Sequence, residues 1–92
     1  MAAYRWSKEK NEQLKRERDI GFDEILDAMA GGGLLDTLDH PNKSRYKGQK
    51  IFVVECGEYV YAVPFKETEN EIFLKTIIPS RKYRKKYKKE AS

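Results

Sequence analysis

The sequence has few of the residues that build disulfides, metal sites and membrane spans. It contains one cysteine and one histidine, which excludes an internal disulfide and a Cys/His-rich metal site. No run of residues approaches the roughly 20 apolar positions that a membrane-spanning helix needs. A signal peptide is not expected either, because Arg5, Lys8 and Lys10 interrupt the first residues. We therefore expect a cytoplasmic protein with no membrane association, no metal and no other cofactor.

The one cysteine and the glycine triplet are interpreted as structural. Cys56 ends an apolar run over 51–56, where a buried, unreactive thiol is more typical than a catalytic one. The glycines at 31–33 lack the GxxxxGK[ST] spacing of a phosphate-binding loop. They also follow a predicted helix instead of a strand, so we interpret them as a helix terminator.

Positive charge is concentrated at the C-terminal end of the chain. Residues 1–79 carry 12 basic and 14 acidic side chains, a net charge of −2, whereas residues 80–92 carry seven basic and one acidic, a net charge of +6. A segment this basic is typical of a polyanion-binding surface, although charge runs are also common on solvated tails. Tyr83 and Tyr87 stand within it at helical spacing. Because they give the segment a face that can anchor it, we favour nucleic acid as the partner.

Two helices are predicted before the glycine triplet. Ser7 can cap a first helix over about 8–18, which is rich in strong helix formers. A second helix is indicated by apolar residues at i, i+3, i+4 and i+7, which are Phe22, Ile25, Leu26 and Met29.

A set of strands and a last helix complete the predicted fold. Residues 34–38 form a short extended candidate, and strands are predicted over about 50–56, 58–65 and 71–78. Gly57 and Glu58 fit a tight hairpin turn, and Pro64 is expected near a strand end or an edge because it lacks an N–H group. Ser80 can cap a helix over about 81–89. The sequence therefore predicts one α+β domain over 1–92, with two N-terminal helices, a mainly antiparallel meander and a basic C-terminal helix from about residue 80.

Arg81 is the first candidate functional residue. It opens the predicted C-terminal helix, where free backbone N–H groups suit a phosphate. An arginine there can hold a phosphate through two hydrogen bonds and stabilise the charge that develops during phosphoryl transfer. The structural alternative is an exposed arginine that pairs with a nearby carboxylate.

Three further side chains have chemistry that an RNA-directed site could use. His40 titrates near neutrality and could move protons to and from an RNA 2′-hydroxyl or 5′-oxygen, or it could simply hydrogen-bond to Asp39 or Asn42 in its loop. Lys75 is predicted in mid-strand, so its amine must reach solvent, a carboxylate or a substrate. Tyr87 could stack on a base or donate a hydrogen bond, although burial against the sheet is the favoured interpretation for at least one of Tyr83 and Tyr87.

Several short motifs, in this order, resemble the BrnT toxins over about residues 5–88. They are Trp6-Ser7-Lys8-Glu9-Lys10-Asn11, Gly21-Phe22-Asp23-Glu24-Ile25, the loop with Asp39-His40, and Ile72-Phe73-Leu74-Lys75-Thr76-Ile77-Ile78-Pro79-Ser80-Arg81-Lys82. The resemblance implies a RelE-like fold and the toxin of a type II toxin–antitoxin module. Such a toxin is a ribonuclease that blocks translation.

The resemblance also implies partners and roles. The expected partners are RNA or the ribosome and a cognate antitoxin with a ribbon-helix-helix domain, through which alone operator DNA would be bound. Arg81 would hold the scissile phosphate and His40 or Tyr87 would move protons, while Arg45, Lys75, Arg84 and Lys88 would supply RNA-binding charge. The sequence offers no unmistakable acid–base pair. A non-catalytic RNA- or ribosome-binding module is therefore the alternative.

Overall fold

The computed structural model describes residues 3–42, 44–45 and 48–87. Within these residues the chain forms three α-helices, one π-helical turn and six strands. Their bounds are β1 Ala3–Trp6, α1 Lys8–Arg18, α2 Phe22–Ala28, the π-helical turn Met29–Gly33, β2 Leu34–Asp39, β3 Gln49–Cys56, β4 Tyr59–Glu67, β5 Glu71–Leu74, β6 Ile78–Pro79 and α3 Arg81–Tyr87. The predicted α+β class is confirmed, with the N-terminal helices and the C-terminal helix. Positions 88 and 89 of the predicted last helix lie outside the described residues.

The strands form one sheet in the order β1-β5-β4-β3-β2, and β6 pairs with β4. The pairs β2–β3, β3–β4 and β4–β5 are antiparallel, as the meander predicts. β1 was not predicted, and it pairs parallel with β5 at one edge of the sheet. Its first three residues are exposed and Trp6 is half-buried, so a strand this short carries little hydrophobic periodicity. The sheet is therefore mixed, with β1 added to the meander.

The two N-terminal helices begin at capped residues. The Ser7 hydroxyl accepts a hydrogen bond from the Lys10 amide at 3.2 Å, which satisfies one of the free N–H groups of the first turn of α1. α1 ends at Asp19, whose φ of 57° is left-handed. Asn11 then accepts a hydrogen bond from the Phe22 amide at 2.7 Å. The Asn11 side chain, on α1, thus fixes the start of α2. The two helices form one layer.

The main core lies between this helical layer and one face of the sheet. Residues from α1, α2 and the turn between them pack against β3, β4 and the segment that follows β5. The buried members of the cluster are Leu14, Ile20, Phe22, Ile25, Phe52, Val54, Val63, Phe65, Leu74 and Ile77. In the middle of the sheet the rings of Phe52 and Phe65 stack at 3.8 Å.

A smaller core lies under α3, on the other face of the sheet. Ile51, Val53, Val60 and Ala62 are buried but do not belong to the main cluster, and side chains alternate between the two faces of a strand. α3 packs on β4, the strand that carries Val60 and Ala62. β3 is thus covered on both faces, with Phe52 and Val54 in the main core and Ile51 and Val53 in the smaller one. The start of α3 is fixed by Ser80, whose hydroxyl accepts a hydrogen bond from the Tyr83 amide at 3.2 Å.

The predicted strand over 71–78 is wrong in its middle. β5 ends at Leu74 and β6 begins at Ile78, so the chain leaves the ladder between them. Pro64 explains the gap, because its carbonyl accepts a hydrogen bond from the Lys75 amide at 2.8 Å but it has no N–H to donate back. The expectation that Pro64 lies near a strand end or an edge is also wrong. It lies within β4, a central strand. On one side it pairs with Ile51 of β3, and on the other it faces the gap between β5 and β6, which its missing N–H group helps to create.

Candidate nucleic-acid interface

The outer surface of α3 is a regular array of cations. Its lysines and arginines are all exposed, and both tyrosines are half-buried; the cations are Arg81, Lys82, Arg84, Lys85 and Lys86. Residues three and four apart share one side of a helix. Tyr83 and Tyr87 therefore face the sheet. Within the described residues, the five cations of this basic run are thus held on a docked helix.

Two stripes of positive charge result from the same spacing. Arg81, Arg84 and Lys85 stand at i, i+3 and i+4, and Lys82 and Lys86 at i and i+4. Among the described residues no carboxylate forms an ion pair with any of them. Rows of exposed cations along one surface are the electrostatic pattern of a phosphate-backbone site. Lys88, which the sequence analysis added to this group, lies outside the described residues.

A hydrogen bond connects the end of α3 to β2, the strand at one edge of the sheet. The Tyr87 hydroxyl donates to an Asp36 carboxylate oxygen at 2.7 Å, so the helix spans from β4 to β2. This hydrogen bond lowers the pKa of Asp36, as does the one from the Thr37 amide, and it raises the pKa of Tyr87. Asp36 was not among the residues predicted from the sequence. Its signal is a lone carboxylate in the apolar stretch 34–38.

We expect this hydrogen bond to make the stability of the protein depend on pH. Because the pKa of Asp36 is lowered in the folded state, its contribution is present above the ordinary carboxyl range, near pH 4, and is lost as pH falls through the lowered pKa. Because the pKa of Tyr87 is raised, its contribution is present below about pH 10 and is lost as pH rises through the raised pKa.

The measurement is the melting temperature against pH for the wild type and for Asp36→Asn. The wild type should melt higher near neutral pH, and the difference should begin to shrink below about pH 4, where the unfolded carboxyl takes up a proton, and shrink further toward about pH 3 as the lowered pKa of Asp36 is approached. Glu58→Gln, in the exposed hairpin turn, is the matched control. A difference between wild type and Asp36→Asn that stays constant down to that pH would contradict this assignment.

His40 and Arg45 lie in the β2–β3 loop, away from α3. His40 Nδ1 accepts a hydrogen bond from the Asn42 amide at 3.1 Å, and the Asn42 side chain accepts one from the Arg45 amide at 3.1 Å. The hydrogen bond between His40 and Asn42 is one of the structural alternatives that the sequence left open. His40 also lies four residues beyond Asp36, which is about 13 Å along an extended chain. The structure therefore does not bring His40 to the hydroxyl of Tyr87.

Lys75 is not a mid-strand residue, contrary to the sequence prediction. It is exposed and directly follows β5, because the strand ends where Pro64 interrupts the pairing. Its amine lies 5.5 Å from the centroid of the Phe73 ring, within the range of a cation–π contact. Lys75 thus reaches solvent, one of the outcomes that its sequence context allowed.

The candidate residues therefore form separate groups. Arg81, Arg84 and Tyr87 lie together on α3, Lys75 lies on the chain between β5 and β6, and His40 with Arg45 lies in the β2–β3 loop. That loop is at the end of the sheet where Asp39 pairs with Lys50. α3 begins near the opposite end, where the Ser80 amide donates to the Val60 carbonyl at 2.9 Å. The described part of the chain thus supports one cationic surface more directly than one acid–base centre.

A shallow cleft of about 540 Å³ lies on the α2 side of the sheet. It is lined by Glu24, Asp27, Ala28, Gly31, Gly32, Gly33, Glu55, Cys56 and Gly57. Its carboxylates disfavour an RNA ligand. Cys56 is half-buried instead of buried as expected, because it lies at the end of β3 beside this cleft. Partial burial and the charge of Glu24 raise the pKa of its thiol, which disfavours a reactive thiolate. No group of His, Cys, Asp and Glu within the described ranges could hold a metal ion.

Comparison with protein-family models, with curated proteins and with solved structures finds no match for this chain. Among the helices of the described residues, none has the length and apolar character that a membrane crossing requires.

Proposed function

We propose that this chain is the toxin of a type II toxin–antitoxin module, a cytoplasmic, metal-independent endoribonuclease that inhibits translation. The observation that carries the proposal is the cationic surface of α3, docked on the sheet by two tyrosines. A row of phosphates attracts such a surface through charge and through the release of counterions. The order of BrnT-like motifs along the sequence supports the more specific assignment to a toxin.

The cleavage that we propose needs no cofactor. An RNA 2′-oxygen attacks the adjacent phosphorus, the bond from phosphorus to the 5′-oxygen breaks, and a cyclic 2′,3′-phosphate forms. One proton leaves the 2′-hydroxyl and one joins the departing 5′-oxygen, so the step needs no added reactant. Arg81 is the residue that we assign to the scissile phosphate, because it is exposed at the start of α3 and a guanidinium stabilises negative charge that grows at phosphorus.

The second candidate function is RNA or ribosome binding without catalysis. It is favoured by the hydrogen bond from Tyr87 to Asp36, which engages the hydroxyl assigned to proton transfer. The separation of His40 from Tyr87 favours it as well, because His40 lies about 13 Å along the extended chain from Asp36, the partner of Tyr87. Both functions use the same surface of α3, and they differ in whether RNA is cut.

The antitoxin that we propose is a short protein with a ribbon-helix-helix domain and an acidic or amphipathic toxin-binding segment. Carboxylates on that segment would pair with Arg81 and Arg84 and cover the stripe that RNA needs. Operator DNA would then be bound by the antitoxin and not by this chain. A complex in which both arginines stay open to solvent would contradict this mechanism of inhibition.

Expression of this chain alone is expected to arrest growth, and the product of an adjacent gene is expected to relieve the arrest. The physical reason is that free α3 binds RNA, whereas the partner covers its cations. The measurement is growth after induction in the native or a related host, with soluble protein verified by immunoblot. Normal growth at full soluble expression would count against the toxin assignment.

A further inference from the structure

Tyr59 is the most exposed of the large hydrophobic side chains among the described residues. Its side chain is 57% exposed, and it begins β4 directly after the Gly57–Glu58 turn. A tyrosine in a strand normally packs one side of its ring on the sheet. Tyr59 instead presents its ring to solvent at the same end of the sheet where α3 begins.

The ring lies beside the stripe of α3 that carries Arg81, Arg84 and Lys85. The guanidinium carbon of Arg84 is 5.6 Å from the centroid of the Tyr59 ring, and the ring of Tyr61 is 6.2 Å away, tilted by 49°. Arg81 and Lys85 flank Arg84 on the same side of the helix. An exposed aromatic ring thus adjoins a row of cations that has the spacing of a backbone-binding site.

We propose that Tyr59 and Arg84 form a stacking site for an unpaired base of single-stranded RNA. The base would lie on the Tyr59 ring, and the phosphates on either side of it would contact Arg81, Arg84 and Lys85. This inference rests on the proposed function only in taking RNA as the ligand of α3. It adds a base-binding side chain, Tyr59, that is not among the residues assigned to cleavage, and a preference for single strands.

The preference for single strands follows from whether the faces of the RNA bases are accessible. In a duplex both faces of each base are covered by its neighbours, so an aromatic side chain gains a stacking partner only after a base is unstacked. In a single strand the base is available, and base–aromatic stacking is tolerant of sequence because every base has a π-face. The cations alone would bind both forms through their phosphates, without a stacking preference for the single strand.

The experiment is fluorescence anisotropy with a short labelled RNA of mixed sequence, as a single strand and annealed to its complement. Tyr59→Ala should weaken binding of the single strand about tenfold, within the range of base–aromatic stacking, and leave duplex binding unchanged. Tyr59→Phe should retain the wild-type affinity, because the ring is kept. Tyr4→Ala is the matched control, since Tyr4 is 41% exposed on the edge strand β1.

Salt dependence separates stacking from loss of charge or fold. The slope of log affinity against log salt should be unchanged in Tyr59→Ala, whereas Lys85→Ala should reduce it by about 0.7. All variants should melt at the wild-type temperature. Equal single-strand affinity for Tyr59→Ala and wild type, or a wild type that binds duplex as tightly as single strand, would overturn the stacking site and leave the proposed function standing. A wild type that binds neither RNA would overturn both.

Discussion

Arg81→Ala is expected to abolish toxicity while leaving the fold intact. Arg81 is exposed at the first position of α3, and among the described residues no hydrogen bond or ion pair holds its side chain. An exposed residue of this kind changes the free energy of unfolding by at most about 0.5 kcal/mol. A charge contact made in a transition state is worth about 3 kcal/mol, or roughly two orders of magnitude in rate.

The measurement is a growth assay beside a melting curve for each variant. Lys86→Ala is the matched control for charge, because Lys86 is an exposed cation of the other stripe, which it shares with Lys82, and its loss should matter little. Tyr83→Ala is the opposite control, because its half-buried ring faces the sheet and its loss should lower the melting temperature first. If Arg81→Ala stayed fully toxic, or melted as low as Tyr83→Ala, the assignment of the phosphate site to α3 would be wrong.

Gly33→Ala is expected to destabilise the fold strongly. A Cβ at Gly33 would overlap the carbonyl oxygen of Glu55 and would lie 2.7 Å from that of Ala28. Both neighbours are backbone atoms, so β3 or the end of the π-helical turn must move. Overpacking of this kind costs about 1 to 3 kcal/mol.

Gly31→Ala is a control from the same glycine triplet. A Cβ at Gly31 meets nothing within 4 Å, and its backbone is not left-handed, so the substitution should be neutral or slightly stabilising. The measurement is urea unfolding of both variants and the wild type. Similar midpoints for Gly33→Ala and the wild type would contradict the close approach of this turn to β3.

The helix caps, the helix terminator and the tight hairpin turn could be predicted from the sequence, because each depends on residues close together in the chain. Ser7 and Ser80 both cap the helices that they were predicted to cap, because a hydroxyl and the amide that it caps are only three residues apart. The glycine triplet ends the second helix as expected, although its glycines first continue it as a π-helical turn. The Gly57–Glu58 hairpin also follows from its own residues, since φ is positive at Gly57.

The features that the sequence did not predict depend on distant partners. β1 is a strand because it pairs with β5. Ala3 pairs with Glu71, which lies 68 residues later in the sequence. The break at Lys75 depends on Pro64, in the neighbouring strand. These relations are set by tertiary pairing, which hydrophobic periodicity within a short window does not carry.

The candidate site was predicted in part for the same reason. The positive charge of α3 and the inward face of its tyrosines follow from composition and helical spacing. Asp36 and Tyr59 were missed, because they meet α3 only through the fold. The hydrogen bond from Tyr87 to Asp36 gives Tyr87 a structural role that its sequence context left open.

The integrity of messenger RNA after induction tests the central claim most directly. Primer extension on an abundant transcript, before and after induction of this chain alone, reports new 5′ ends at cleavage sites. We predict new ends within the period in which growth stops, and none on induction of Arg81→Ala at equal soluble expression. Growth arrest with intact messenger RNA would contradict the nuclease assignment in favour of RNA or ribosome binding, and intact RNA with normal growth would contradict the toxin assignment itself.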